Sequence, residues 1–260
     1  MGHLQQAEHL ALQYSESIDD PSKLSDAWYL LGKVKYRQDS LYRALSYFNR
    51  ITSSTIDSTL SPYAYNSISL IYIALGSYQL ALENLLAGIP ILKAKKDTTH
   101  LTIFLNRLGN LYKNIEQYDL SRQYYLKALN ISQINKDSVN ISEILNNLGV
   151  LSLRKESYRD ALGFFEESLV LKHALKKEIK TTSTLQNIGE AYRLLNQPDS
   201  AEYYYLQSKE IKEKYNDQNG LAILNNNLAE LYLETNQLNK VPDHLIEGRK
   251  LSKAGSLLAH

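Results

Sequence analysis

Amide side chains repeat in phase along this sequence. Twenty asparagines occur in 260 residues, and seven of them fall in the two slots just before a recurring apolar position: Asn66, Asn106, Asn146, Asn147, Asn187, Asn226 and Asn227. Even scatter would put about one there. A compositional bias that inflates Asn, Lys, Ile and Tyr accounts for their number but not for this placement. Asparagine competes for backbone groups and is a poor interior helix residue. Its amide both donates and accepts, so it can grip an extended backbone or bridge two neighbouring segments. The sequence leaves those two roles evenly balanced.

Other chemistries are missing. There is no cysteine, which excludes disulfides, thiol catalysis and Cys-based metal sites. The histidines, His3, His9, His100, His173, His244 and His260, are not spaced as metal ligands. No Gly-rich phosphate loop and no nucleophile elbow with a partner His is present. Twenty tyrosines could stack on single-stranded nucleic acid, but most of them fall on core phases of the repeat. With 29 basic and 28 acidic residues the net charge is +1, so there is no basic footprint for nucleic acid. Lys93, Lys95 and Lys96, and Lys172, Lys176 and Lys177, read as solvated helix ends complementing the helix dipole. We expect no catalytic residues, no metal, no cofactor and no nucleic acid bound.

The elements that must position the asparagines recur every 40 residues. Ala81, Ser121, Ala161, Ala201 and Val241 are 40 apart, and Ala44 precedes Ala81 by 37. A bulky residue follows each by four: Phe48, Leu85, Tyr125, Phe165, Tyr205, Leu245. Two more apolar series, Ile91 to Leu251 and Ile68 to Leu228, keep the same time. A period of this length signals a solenoid of stacked units. Apolar spacings of three and four in both halves of each unit predict two amphipathic helices. Small residues fall where those helices approach, at Gly32, Ser69, Gly109, Gly149, Gly189 and Ala229 on the first. A mid-helix Gly costs roughly 1 kcal/mol against Ala, so its periodic return implies close packing.

Trp28, Leu31, Gly32, Ala44 and Phe48, and then Leu105, Leu108, Gly109, Tyr112, Tyr118 and Tyr125, give the chain its family likeness. They resemble the tetratricopeptide repeat, whose signature is W-x2-L-G-x2-Y, then A-x3-F, then P. The resemblance covers nearly the whole chain and implies an all-α fold: a right-handed α-α superhelix of six helix pairs preceded by a single helix. Some positions depart from it. Lys35 replaces the first Tyr, with Tyr36 one place late, and Ser152 replaces that of the fourth unit. Lys93, Gln133, His173, Glu213 and Lys253 occupy the place of the terminal Pro. Without that stop the second helix can run on, which lengthens the unit beyond the usual 34 residues. Such long units look like those of bacterial sensory and regulatory proteins of this class.

The breakers place repeats near 25–60, 61–97, 98–137, 138–177, 178–217 and 218–254 in one array spanning 1–260, with a half-repeat helix over 4–18. Pro62, Pro198 and Pro242 fall in first turns, where no backbone donor is lost. Pro90, late in its helix, predicts a kink or break near Leu86 to Ile89.

The resemblance further implies that a concave groove holds a protein or an extended peptide. Its candidate residues here are Arg107, Asn110, Asn147, Arg154, Asn187, Glu190, Asn227, Glu230 and Glu234. Spacings of three and four keep each set on one helix face. Lys33, Arg37, Arg107 and Arg154 lie toward one end of this stripe, and Glu190, Glu230 and Glu234 toward the other. Such polarity would orient a bound chain. The dicarboxylate clamp of chaperone-adaptor members is not reproduced, because Ser67 and Ile103 break its series. No apolar run approaches the roughly 20 residues needed to span a bilayer, and we expect the first residues to be no signal peptide. The implied role is the sensory or interaction region of a larger bacterial signal-transduction or transcriptional regulator, in the cytoplasm or as the extracytoplasmic part of a membrane-anchored protein. A peptide-pheromone receptor and a structural assembly factor are the alternatives. Val241, Leu245, Ile246, Leu251, Leu257 and Leu258 predict an apolar final face, covered by further sequence or by self-association.

Overall fold

Thirteen helices and no strand make up the described residues, 2–16, 21–54 and 59–258, of the computed structural model. They are α1 (Gly2–Glu16), α2 (Pro21–Arg37), α3 (Leu41–Thr52), α4 (Ser61–Ala74), α5 (Tyr78–Ala94), α6 (Thr98–Asn114) and α7 (Tyr118–Ile134). After them come α8 (Ser138–Arg154), α9 (Tyr158–Ala174), α10 (Glu178–Leu194), α11 (Pro198–Lys214), α12 (Gln218–Glu234) and α13 (Val241–Leu258).

Each helix from α5 to α12 has 17 residues. The 40-residue period is therefore two equal halves, each a helix and a three-residue link. The middle link residue is left-handed: Lys96, Glu116, Lys136, Glu156, Lys176, Asn196 and Asn216 all have φ between 53° and 62°. Around it the chain closes the helix in one recurring way. The Lys96 N–H donates to the Lys93 carbonyl at 3.1 Å, and the Asp97 N–H to the Leu92 carbonyl at 3.0 Å. This is the Schellman pattern that satisfies the last carbonyls of a helix. The next helix starts at once. Asp97, Asp137 and Asp217 accept from the backbone N–H groups of His100, Asn140 and Gly220 at 3.0, 3.1 and 2.9 Å, each satisfying one orphan donor. Lys177 holds the equivalent place in α10 and makes no side-chain cap.

The chain forms two compact units, Met1–Tyr124 and Tyr125–His260, divided within α7. In the first, α1 packs on α2, α2 pairs with α3 and α4 with α5, and α3 and α5 also contact α4 and α6. Ala44, Phe48, Ile51, Ala64, Ile68 and Ile71 form its buried cluster. In the second, α8 pairs with α9, α10 with α11 and α12 with α13, while α9 meets α10 and α11 meets α12. Ala161, Phe165, Ile188 and Ala191 fill one layer; Ala201, Tyr205, Leu224, Leu228, Leu231 and Tyr232 fill the next.

The periodic glycines have the packing role their spacing implies. A Cβ on Gly32 would stand 2.6 Å from the Phe48 ring, and one on Gly189 2.6 Å from the Tyr205 ring. Gly149 meets Phe165 in the same way. The small hydroxyl residues add a second device. Ser168 donates to the Ser142 carbonyl at 2.6 Å and Ser208 to the Thr182 carbonyl at 3.0 Å, both buried, so the same interhelix bond recurs one period apart.

Three local expectations change. α5 runs unbroken through Pro90, whose ring lies on the exposed face where solvent can take the freed carbonyl. α2 begins at Pro21, earlier than Ser25, on a residue suited to a first helical position. Lys172 is not a solvated helix end: it is buried, whereas Lys176 and Lys177 are exposed. On α13, Leu245 and Ile246 are exposed, and the side chains of Leu257 and Leu258 lie outside the described residues.

Candidate partner-binding surface

The predicted stripe lies on the first helices of the pairs, and its residues divide between the two units. In the first unit Arg107 and Asn110 stand half-buried on α6, and both are engaged with neighbouring groups. The second unit carries the rest.

There the asparagines act in two ways. Asn146 Oδ1 accepts from the Thr184 hydroxyl at 3.0 Å and from Asn187 Nδ2 at 3.2 Å, tying α8 to α10. Thr184 Oγ1 in turn accepts from Lys172 Nζ at 2.7 Å. Burial pushes the Lys172 ammonium down to about 8, against the raising influence of Glu143. One donor of Asn187 is thus occupied within the scaffold. Asn147 is half-buried and engaged. Asn227 is half-buried and makes no side-chain hydrogen bond among the described residues. Asn225, which the slot argument did not include, is fully buried: it donates to the Leu221 carbonyl at 3.1 Å and meets His244 Nδ1 at 2.8 Å.

The three predicted glutamates converge on a residue the sequence reading missed. Arg193 donates to Glu190 through Nε at 2.9 Å and through an Nη at 2.7 Å. Its other Nη hydrogen-bonds Glu234 and lies 3.6 Å from Glu230. The Tyr205 hydroxyl donates to Glu190 at 2.9 Å. Burial pushes the Glu190 carboxyl up, but the hydrogen bonds and charge of Arg193, with Tyr205, outweigh it and hold its pKa below the ordinary value. Burial and the neighbouring carboxylate push the Tyr205 phenol up, so it stays a donor. One guanidinium faces three carboxylates, leaving excess negative charge on the exposed rim at Glu230 and Glu234. The i, i+3 spacing of Glu190 and Arg193 was the available sequence signal. Arg154, on α8, is exposed and has no ion-pair partner among the described residues.

Among the described residues no group of three or more His, Cys, Asp or Glu side chains could hold a metal ion. No helix there is long and apolar enough to cross a membrane.

Sequence profiles of the tetratricopeptide repeat match residues 99–171 and 181–219. No curated protein matches the chain by sequence. Solved structures share the fold at low identity. The apo form of RapI superposes with a TM-score of 0.78 at 16% identity, covering 97% of this chain and 94% of its own. A Rap protein complexed with Competence and Sporulation Factor gives 0.76 at 18%, covering 96% and 72%. BtubC from P. vanneervenii gives 0.72 at 18%, covering 83% and 93%. Residues 99–171 and 181–219 are thus tetratricopeptide repeats, and the helical fold matches that of repeat scaffolds.

Proposed function

We propose that the chain is a protein- or peptide-binding scaffold serving as the sensory or interaction region of a larger bacterial signal-transduction or transcriptional regulator. Its six repeats would form one array, with Arg107, Asn110, Asn147, Arg154, Asn187, Glu190, Asn227, Glu230 and Glu234 facing the partner. The observation that carries this reading is the polar pattern of the second unit: an unpaired Arg154 on α8, and excess carboxylate charge on α10 and α12 around Arg193. A partner with an acidic and a basic end would be oriented by it. The likeness to a Rap protein in complex with Competence and Sporulation Factor favours, as a second reading, reception of a signalling peptide.

An array of extended peptides, each presented in both directions, tests this. The wild-type chain should select sequences with a basic residue at one end, and Glu230→Gln with Glu234→Gln should abolish that preference. Equal capture of both directions, or a preference untouched by the double substitution, would remove the proposal.

A further inference from the structure

The second unit carries an apolar groove that none of the predicted stripe residues lines. It lies between α7 and α9 over the first half of α8 and has a volume of about 520 Å³. Leu129, Ile141, Leu145, Phe164, Val170 and Leu171 are its apolar walls. Two substitutions make it peculiar to this repeat. Tyr124 stacks on Tyr112 with ring centroids 5.2 Å apart, and Tyr204 stacks on Tyr192 at 5.5 Å. Ser152 stands at the phase of Tyr112 and Tyr192, so Phe164 has no ring partner among the described residues and lines the groove instead. Val170 is 68% exposed at a place where the other repeats put Pro90, Asn130, Glu210 or Lys250. A local apolar surface of this kind marks a contact.

The charge on the groove has one sign. Glu166 and Glu167 are exposed on its lining, no cation lines it among the described residues, and neither carboxylate has an ion-pair partner there. A helix with an apolar face followed by cations would complement it, and the chain itself supplies one. α13 packs on α12 through His244, whose Nδ1 meets Asn225 Oδ1 at 2.8 Å, and through the buried Gly248. Away from that contact, Leu245 and Ile246 are 49% and 66% exposed. Arg249 and Lys250 follow them by one turn, exposed and without a carboxylate partner among the described residues. Asp243 lies in the first turn, ahead of the apolar pair. Held on α12, with three helices between it and α9, α13 cannot fill the groove of its own chain.

We propose that the groove between α7 and α9 is a docking site for α13 of a second copy of this chain. Leu245 and Ile246 enter over Phe164, Val170 and Leu171, while Arg249 and Lys250 meet Glu166 and Glu167. Two copies can exchange helices reciprocally or join head to tail; each contact sets one helix against one groove. One helix in one groove buries less than the roughly 1,200–2,000 Å² of a standard stable interface, so the association is weak and reversible. It uses neither the Arg193 cluster nor the polar stripe, and it stands or falls apart from the proposed function.

Sedimentation equilibrium on the full chain, from low micromolar to near-millimolar concentration, tests it. The weight-average mass should rise with concentration. Val170→Glu should weaken association by about tenfold or more, because it brings an unpaired carboxylate into an apolar contact. Leu245→Asp with Ile246→Asp should do the same. All three side chains are exposed, so the melting temperatures should not change. Charge reversal is the sharper arm. Glu166→Lys with Glu167→Lys should give a monomer, since groove and helix then repel, and so should Arg249→Glu with Lys250→Glu. An equimolar mixture of these two double variants should associate again, each finding the opposite charge on the other. A wild-type chain that stays monomeric at every concentration overturns the proposal, and so does a mixture that fails to associate. Association that is lost with Leu245 and Ile246 but ignores Val170, Glu166 and Glu167 would set two α13 helices against each other and overturn it too. None of these outcomes touches the directional preference on the peptide array, which reads the polar stripe.

Discussion

Residues at the same phase of the repeat meet opposite fates in the two units. Glu230 and Glu234 follow Ala229 by one and five positions, and both converge on Arg193. Lys33 and Arg37 follow Gly32 by the same intervals, and neither finds a carboxylate among the described residues. The scaffold sets where a side chain emerges; its neighbours on the next helix decide whether it is saturated there. Arg193 ties α10 to α12, while the carboxylate excess at Glu230 and Glu234 stays on the exposed rim. At α2, Lys33 and Arg37 stay exposed. Loss of Arg193 should therefore register in stability, whereas loss of the exposed Lys33 or Arg37 charge should leave stability unchanged.

The largest effect should come from the helix-pair contact that both units share. Gly149→Leu drives a branched side chain into the Phe165 ring and should destabilise the protein by about 3 kcal/mol or more, at the upper end of overpacking costs. Chemical denaturation measures it, and an unchanged midpoint would contradict the packing role of the periodic glycines. Gly32→Ala sharpens the comparison. Its Cβ would displace the Phe48 ring, so stability should fall in the first unit too, by less than for Gly149→Leu.

Next in size is Arg193→Met. It leaves Glu190 half-buried without its cation and should cost about 1–3 kcal/mol at neutral pH, less than a fully buried pair because Glu230 and Glu234 remain half-exposed. The sign with pH follows from the lowered Glu190 pKa. A carboxylate held below its unfolded value contributes stability above that value and loses it as pH falls through the folded pKa. The gap between wild type and variant should therefore narrow as pH drops below the ordinary carboxylate range. A gap that stays constant down to strongly acidic pH would assign the loss to packing instead.

Lys172 reverses that behaviour. Burial lowers it from 10.5 to about 8, so between those values the unfolded chain holds more protons than the folded one. Stability attributable to this group should rise as pH increases from about 8 toward 10.5. Lys172→Met should remove the rise and leave the Thr184–Asn146 bond in place. A profile identical to wild type over that interval would show that the ammonium is solvated.

Much of this architecture was legible in the sequence, and the exceptions have separate causes. The helix pairing was readable because Gly32, Gly149 and Gly189 mark close approach by type as well as by period. The left-handed links were hidden: Lys96, Glu116 and Glu156 occupy a conformation that usually advertises itself with glycine. Lys172 looked like any cation near a helix end, since its burial depends on Thr184, twelve positions on. Arg193 fell outside the chosen stripe, and its role depends on carboxylates about 40 residues away. Periodicity marks where helices approach, but neither the conformation of the links nor what one repeat does differently follows from it. Lys33 and Arg37 were visible as charges, whereas the burial of the unpaired Asn66 oxygen was not.

The smallest expected effect tests that point at one position. Asp97, Asp137 and Asp217 each cap a first helix, whereas Lys177 cannot. It places a cation beside the positive end of the α10 dipole, where an acceptor would be favoured. Lys177→Asp should restore the capping geometry of the other units, because its backbone φ of −98° and ψ of 61° lies near the −85° and 83° of Asp137. Typical caps are worth about 0.5–2 kcal/mol. The neighbouring Glu178 carboxylate, already paired with Lys214 at 2.7 Å, will repel the new charge, so a gain near the lower end, about 0.5–1 kcal/mol, is expected. Denaturation midpoints of the single variant against wild type decide it. The same substitution with Glu178→Gln should recover the rest. No gain in either background would mean that the Lys177 link differs from its counterparts in more than its side chain, and that the regular 20-residue rhythm of the backbone hides a second local exception.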